Sequence, residues 1–89
     1  MRTTLTSGDN LNNYRQEGKY RATTDAVAAS CENSPLNNAF IMNVYNGSNS
    51  IVQQVIPFSG GSIFMRRYQV SNQSWKNWYK YTGELIELE

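Results

Sequence analysis

Residues 40–56, Phe40-Ile41-Met42-Asn43-Val44-Tyr45-Asn46-Gly47-Ser48-Asn49-Ser50-Ile51-Val52-Gln53-Gln54-Val55-Ile56, decide the fold. Two short runs rich in β-branched and aromatic side chains flank a polar segment that contains Asn-Gly, the strongest short-range hairpin signal. The reading is a β-hairpin with a five-residue loop over 46–50. Side chains alternate along a strand, so Phe40, Met42 and Val44 share one side and Ile41, Asn43 and Tyr45 the other. In the second strand Ile51, Gln53 and Val55 oppose Val52, Gln54 and Ile56. Neither side is purely polar, which implies one face on an internal core and at least part of the other covered, by the N-terminal segment or by another subunit.

The same rhythm continues downstream. Ile63 to Val70 reads as a third strand after the turn residues 57–62, and Ser74 to Tyr81 as a fourth after Ser71-Asn72-Gln73. Upstream, Ser7 to Asp9 offer N-caps for a short helical turn carrying Leu11 and Tyr14. Gly18 then releases a strand around 19–24 with Tyr20 and Ala22 on one side. Residues 25–35 hold the only alanine-rich run, either a turn of helix or an irregular strand ending before Pro35. The fold class is therefore β-rich α+β, an antiparallel meander of four to five short strands with a short N-terminal helical turn. Residues 5–82 form one domain, 1–4 and 83–89 being lead-in and trailing residues of linker, cloning or tag origin.

Composition narrows the function. A chain of 89 residues buries only about 60–65% of its unfolded surface, so each large apolar side chain weighs on stability. Eight Lys and Arg against seven Asp and Glu give a net charge of +1, leaving no field to attract nucleic acid or an anionic membrane. No apolar run approaches the roughly 20 residues of a membrane span, so membrane insertion is not expected. One cysteine, Cys31, precludes an internal disulfide, and without histidine the usual zinc sites cannot be assembled. Cys31 reads as a small half-buried apolar residue. Asp9, Glu17, Asp25 and Glu32 are separated in turn-like contexts, and Glu84, Glu87 and Glu89 form a solvated tail. Nothing here reads as an enzyme, a metal site or a cofactor site.

The segment Gln73 to Tyr81 holds both tryptophans and two of the six tyrosines. Trp75 and Trp78 are three apart and would point to opposite faces of a regular strand, so a bulge or turn at Lys76-Asn77 is required to aim both the same way. At least one is expected to be buried, while Tyr79 and Tyr81 suit an exposed platform. Arg66 and Arg67 leave the sheet on opposite faces. One reading has one of them solvated and the other paired with a carboxylate; the sharper one packs the Arg66 guanidinium against an aromatic ring or an inter-subunit acceptor. Of Gln53 and Gln54, one amide is expected to face a polar interior or an interface, where it must find partners, and the other solvent.

The order of these motifs, "GDNLNNY", "GKY", "NSPLNNAFIMNVY", "IVQQVI", "IFMRRY" and "SWKNWYKY", resembles the pyocin-knob family of phage tail fibres, R-type bacteriocin fibres and prophage tail proteins. Asp9, Leu11, Asn12, Gly18, Tyr20, Asn33, Pro35, Gln53, Gln54, Arg66, Trp75 and Trp78 fall on the family pattern. Asn37-Asn38-Ala39 departs from it, where the family often has a glycine. The resemblance implies a knob on a trimeric fibre of a virion or prophage-derived tail particle, made in the bacterial cytoplasm and contributing to attachment to a surface glycan or other envelope receptor. It supplies no fixed ligand set. From the residues themselves the candidates for ligand contact are Tyr79, Tyr81, Arg66, Trp78 and Tyr45. Two alternatives remain beside the fibre knob: a carbohydrate-binding module that targets a cell-wall hydrolase, and a purely structural spacer.

Overall fold

The computed structural model describes residues 3–87. Met1, Arg2, Leu88 and Glu89, read above as lead-in and trailing residues, lie outside the described residues. The hairpin forms from β2 (Phe40–Asn46) and β3 (Ser50–Pro57), paired antiparallel from Phe40 opposite Pro57 to Asn46 opposite Ile51. Its loop is three residues rather than five. Asn46 and Ser50 are already in the strands, and the Asn46 side-chain oxygen accepts from Ser48 N at 2.9 Å while Ser48 takes a left-handed φ of 71°. The tight turn thus comes from an asparagine side chain standing in for a backbone acceptor.

β4 (Ser62–Gln69) pairs with β3, and β1 (Gly18–Ala22) pairs with β2 at the far edge. The expected closing strand is in fact two, β5 (Ser74–Trp75) and β6 (Tyr79–Thr82), both on the free edge of β4. The result is a six-stranded antiparallel sheet. Residues 3–5, whose first two were read as lead-in, run beside β1: Arg21 N donates to Thr3 O at 2.9 Å and Leu5 N to Arg21 O at 2.8 Å. At the other end Gly83 N donates to Gly61 O at 2.6 Å, tying the exit of β6 to the β3–β4 turn.

The helical turn lies over Leu11–Asn13, a 3-10 turn whose cap is Asn10, not Ser7 to Asp9: the Asn10 side chain accepts from Asn12 N. The alanine-rich run is the helix α1 (Asp25–Ser30), started by Thr24, whose hydroxyl accepts from Val27 N at 3.2 Å. Asp25 then reaches across to accept from Ala39 N at 2.8 Å, latching the loop before β2. Among the described residues no helix is long and apolar enough to cross a membrane.

The alternation read from sequence sorts the two faces. Phe40, Met42, Val44, Ile51 and Val55 are buried under Leu5, Leu11, Tyr14 and Ala28 from the N-terminal part. Each fully buried side chain of this kind stabilises the fold by about 1.5–3 kcal/mol. All of that cover lies on one side. On the opposite face Ile41, Tyr45, Tyr79 and Tyr81 are exposed and Val52, Ile56, Ile63 and Met65 only half-buried, so the described residues leave an apolar sheet face open. Of the two covers considered for that face, the N-terminal segment is not the one.

Candidate ligand site

Gln53 and Arg66 face each other across β3 and β4 on the covered side of the sheet, and both are buried, at 0% and 4% exposure. Gln53 Nε2 donates to two backbone carbonyls of the 3-10 turn and its cap, Leu11 O at 2.7 Å, which also accepts from Tyr14 N, and Tyr14 O at 2.9 Å. Its Oε1 accepts from Arg66 Nε at 2.8 Å. Gln53 therefore links the N-terminal cover to the sheet and fixes Arg66, while Gln54 is the outward amide, bonded to Asn43 at 3.1 Å.

The Arg66 guanidinium carbon lies 3.9 Å from the ring centroid of Trp75 and 4.7 Å from that of Trp78. The sharper of the two readings of the arginine pair holds: the inner arginine packs on aromatic rings and the outer one, Arg67, is exposed. A desolvated contact of this type is worth about 2 kcal/mol. Burial lowers the Arg66 pKa from the ordinary guanidinium range to about 10, which leaves it cationic at neutral pH.

Both tryptophans reach Arg66 because the edge pairing slips by one residue. Tyr68 faces Trp75 and Met65 faces Tyr79, three steps along β4 against four along the edge segment. The extra residue is accommodated at 76–78, where Lys76 N donates to Arg67 O at 2.8 Å before the chain leaves the ladder. That is the bulge the three-residue spacing demands. Trp78 Nε1 donates to Asn33 O at 3.0 Å, and the Trp75 ring leans on Tyr68 at 5.1 Å. Tyr68 in turn accepts from Arg15 Nη1 at 3.0 Å.

Two cavities open on either side of this slip. One, of about 520 Å³, is lined by Asn12, Asn33, Ser34, Arg66, Gln73, Trp75, Lys76, Asn77 and Trp78. The other, of about 300 Å³, is lined by Arg66, Arg67, Lys76, Asn77, Tyr79 and Tyr81. Of the candidates named from sequence, Arg66, Tyr79 and Tyr81 thus meet at one cavity, and Trp78 joins Arg66 at its neighbour. Tyr45 does not join them. It stands at the end of β2, its hydroxyl 3.3 Å from Gln54 Oε1, over a shallow depression with Glu17, Gly18 and Lys19. Sequence reasoning missed Asn12, Asn33, Gln73, Lys76 and Asn77 as lining residues. The one available signal was the slip at Lys76-Asn77, which exposes the side of β4 that carries Arg66.

No carboxylate lines either cavity, and three cations do, so the local field is positive. Cys31 is buried beneath the first turn, its thiol pKa raised above 9.0 by burial and by the charge of Asp9, so it stays protonated near neutrality. Among the described residues no group of three or more acidic or cysteine side chains comes together. Such a site can hold a ligand by stacking, hydrogen bonds and charge.

The chain is thus an antiparallel sheet with one buried face, one open face and a cationic aromatic notch at its edge. In solved structures the same architecture recurs. The chain matches an R2-type pyocin tail fibre with 32% sequence identity and a TM-score of 0.79 over 88% of its length. It matches the R1 pyocin fibre of P. aeruginosa with 25% identity and a TM-score of 0.80, again over 88%. The chain spans 31% and 20% of those two fibre chains. No protein-family model and no curated protein matches it. The chain is thus similar, in sequence and in fold, to one part of the R-type pyocin tail fibres.

Proposed function

We propose that the chain is a non-catalytic module of a phage-like tail fibre, carried on a virion or a prophage-derived tail particle, and that it contributes to attachment to a bacterial surface glycan. The likeness to R-type pyocin fibres over 88% of the chain carries this reading. The open sheet face supports a place within a multi-chain fibre. Ile41, Ile56 and Ile63 with Tyr79 and Tyr81 leave apolar side chains exposed or half-exposed on neighbouring strands of that face. In a trimer that face packs against a neighbouring copy, and the notch around Arg66 is presented at the sheet edge. Single sites of this shallow kind bind weakly, and repetition on a fibre multiplies them into firm attachment.

Adhesion to host envelope tests the reading. The isolated chain is compared with the same chain fused to a trimeric coiled coil. Retention on envelope by the trimer, with little by the monomer, is expected. Equal absence of retention in both forms would leave only a structural spacer.

A further inference from the structure

The attachment reading does not say what chemistry the notch selects. Resting on that reading, we propose that the larger cavity binds an acidic sugar residue, its carboxylate held by Arg66 and Lys76.

The first support is a charge without a counter-charge. Arg66 is 4% exposed, only its Nε is bonded, to Gln53, and its Nη2 has no hydrogen-bond partner among the described residues. A buried cation costs several kcal/mol unless an anion or a set of acceptors meets it. Among the described residues no carboxylate lines this cavity. The stacked indoles offset part of that cost through their ring faces, but they supply no acceptor in the guanidinium plane.

The second support is that two residues lining the same cavity carry further unpaired polar atoms, Trp75 Nε1 and Asn12 Oδ1, both closed to solvent. With Arg66 and the exposed Lys76 as the cationic donors, the lining complements a group that presents a carboxylate, as a uronic or sialic-type sugar does. The Arg66 fork, stacked against both indoles, matches a two-oxygen anionic acceptor such as a carboxylate.

The rim adds a third. Asn33 and Gln73 hold left-handed backbone conformations, φ 60° and 52°, and both border this cavity. For a glutamine that conformation costs about 1–2 kcal/mol, and such outliers concentrate where a binding surface is shaped. A volume of about 520 Å³ suits a saccharide unit.

Trp75 and Trp78 are the only tryptophans in the sequence, so intrinsic fluorescence reports the cavity directly. Galacturonate, glucuronate and N-acetylneuraminate are titrated against galactose, the methyl ester of galacturonate, and acetate. We expect a saturating change with at least one acidic sugar, at least tenfold tighter than with its neutral counterpart or with acetate. The exposed Lys76→Glu variant, checked for an unchanged far-UV spectrum, should weaken that binding at least tenfold, and Arg66→Lys should weaken it further. No change with any acidic sugar, equal binding of neutral or acetate controls, or an unaffected K76E would overturn the proposal. The envelope adhesion of the trimerised chain separates the two claims. Adhesion that persists without an acidic-sugar response sinks the carboxylate site alone; a titration that saturates without adhesion upholds the site and removes the attachment role.

Discussion

Arg66 lies 3.9 Å from the ring centroid of Trp75, although the two residues sit on neighbouring strands whose direct pairing joins Trp75 to Tyr68. The contact exists because the guanidinium, held by Gln53 at 2.8 Å, runs along the covered face toward the slipped edge. Core and candidate site therefore share one side chain.

Gln53 is the residue on which that arrangement turns. Gln53→Leu removes the side-chain donor to the Leu11 and Tyr14 carbonyls and the acceptor that holds Arg66 Nε in the core. Leaving a buried charged group without its acceptor costs about 1–3 kcal/mol, so we expect a loss of about 2 kcal/mol or more in urea unfolding. In a double-mutant cycle with Arg66→Met the two losses should couple by at least about 1 kcal/mol; additive losses would contradict the link.

The two tryptophans should differ under the same change. Trp78→Phe loses a ring donor bonded to Asn33 O, whereas Trp75→Phe loses a ring donor that has no protein partner. Hydrogen-bond loss of this kind is worth about 1 kcal/mol. Thermal unfolding is expected to place Trp78→Phe below Trp75→Phe, and the reverse order would count against the assignment.

Cys31 should resist thiol reagents while the chain is folded. Its thiol is buried and its pKa lies above 9.0 in the folded protein. The sign follows from linkage: a raised folded pKa contributes stability that is fully present below the unfolded value and is lost as pH rises through the folded one. Labelling by Ellman's reagent at pH 8 should run at least a hundredfold slower than in urea, and unfolding midpoints should fall as pH rises above 9. Rapid native labelling would show an open thiol.

The tether after β6 gives a contrast between two glycines. A Cβ on Gly83 would meet Gly61 O at 2.6 Å, while one on Gly61 meets nothing within 4 Å. Because the obstructing atom is backbone, Gly83→Ala is expected to cost about 1 kcal/mol or more, and Gly61→Ala to stay within about 0.5 kcal/mol. Equal melting temperatures would mean that the tether contributes little.

Much of the sheet was legible because its signals are local. Alternation in Phe40 to Ile56 sorted the hairpin's side chains into two sets without saying which is core, and Asn46-Gly47 placed the turn, though not that the Asn46 side chain would shorten the loop. Tyr20 and Ala22 likewise landed on the buried side of β1. The six-residue α1 was not decidable, since its stability comes from the Thr24 cap and the Asp25 latch to Ala39, and the latch is a contact across 14 positions. In the site, the spacing of Trp75 and Trp78 stated the need for a bulge without saying that Arg66 would lie within reach of both rings. Asn12 and Asn33 escaped notice because long-range packing alone brings them to that cavity. Tyr45 was a candidate for its exposure, and exposure does not say which residues will be neighbours.

The proposed place in a multi-chain fibre gives the sheet one face for its own core and the other for a neighbour. Ile41 sits on that second face at 40% exposure. Its accessibility in the assembled state is the most direct test, with Ile41→Cys placed in a Cys31→Ser background and maleimide labelling followed in the monomer and in the coiled-coil-fused trimer. Rapid labelling of the monomer and protection of at least tenfold in the trimer is the predicted result. Equal labelling in both forms would contradict it and leave the open face as outward surface.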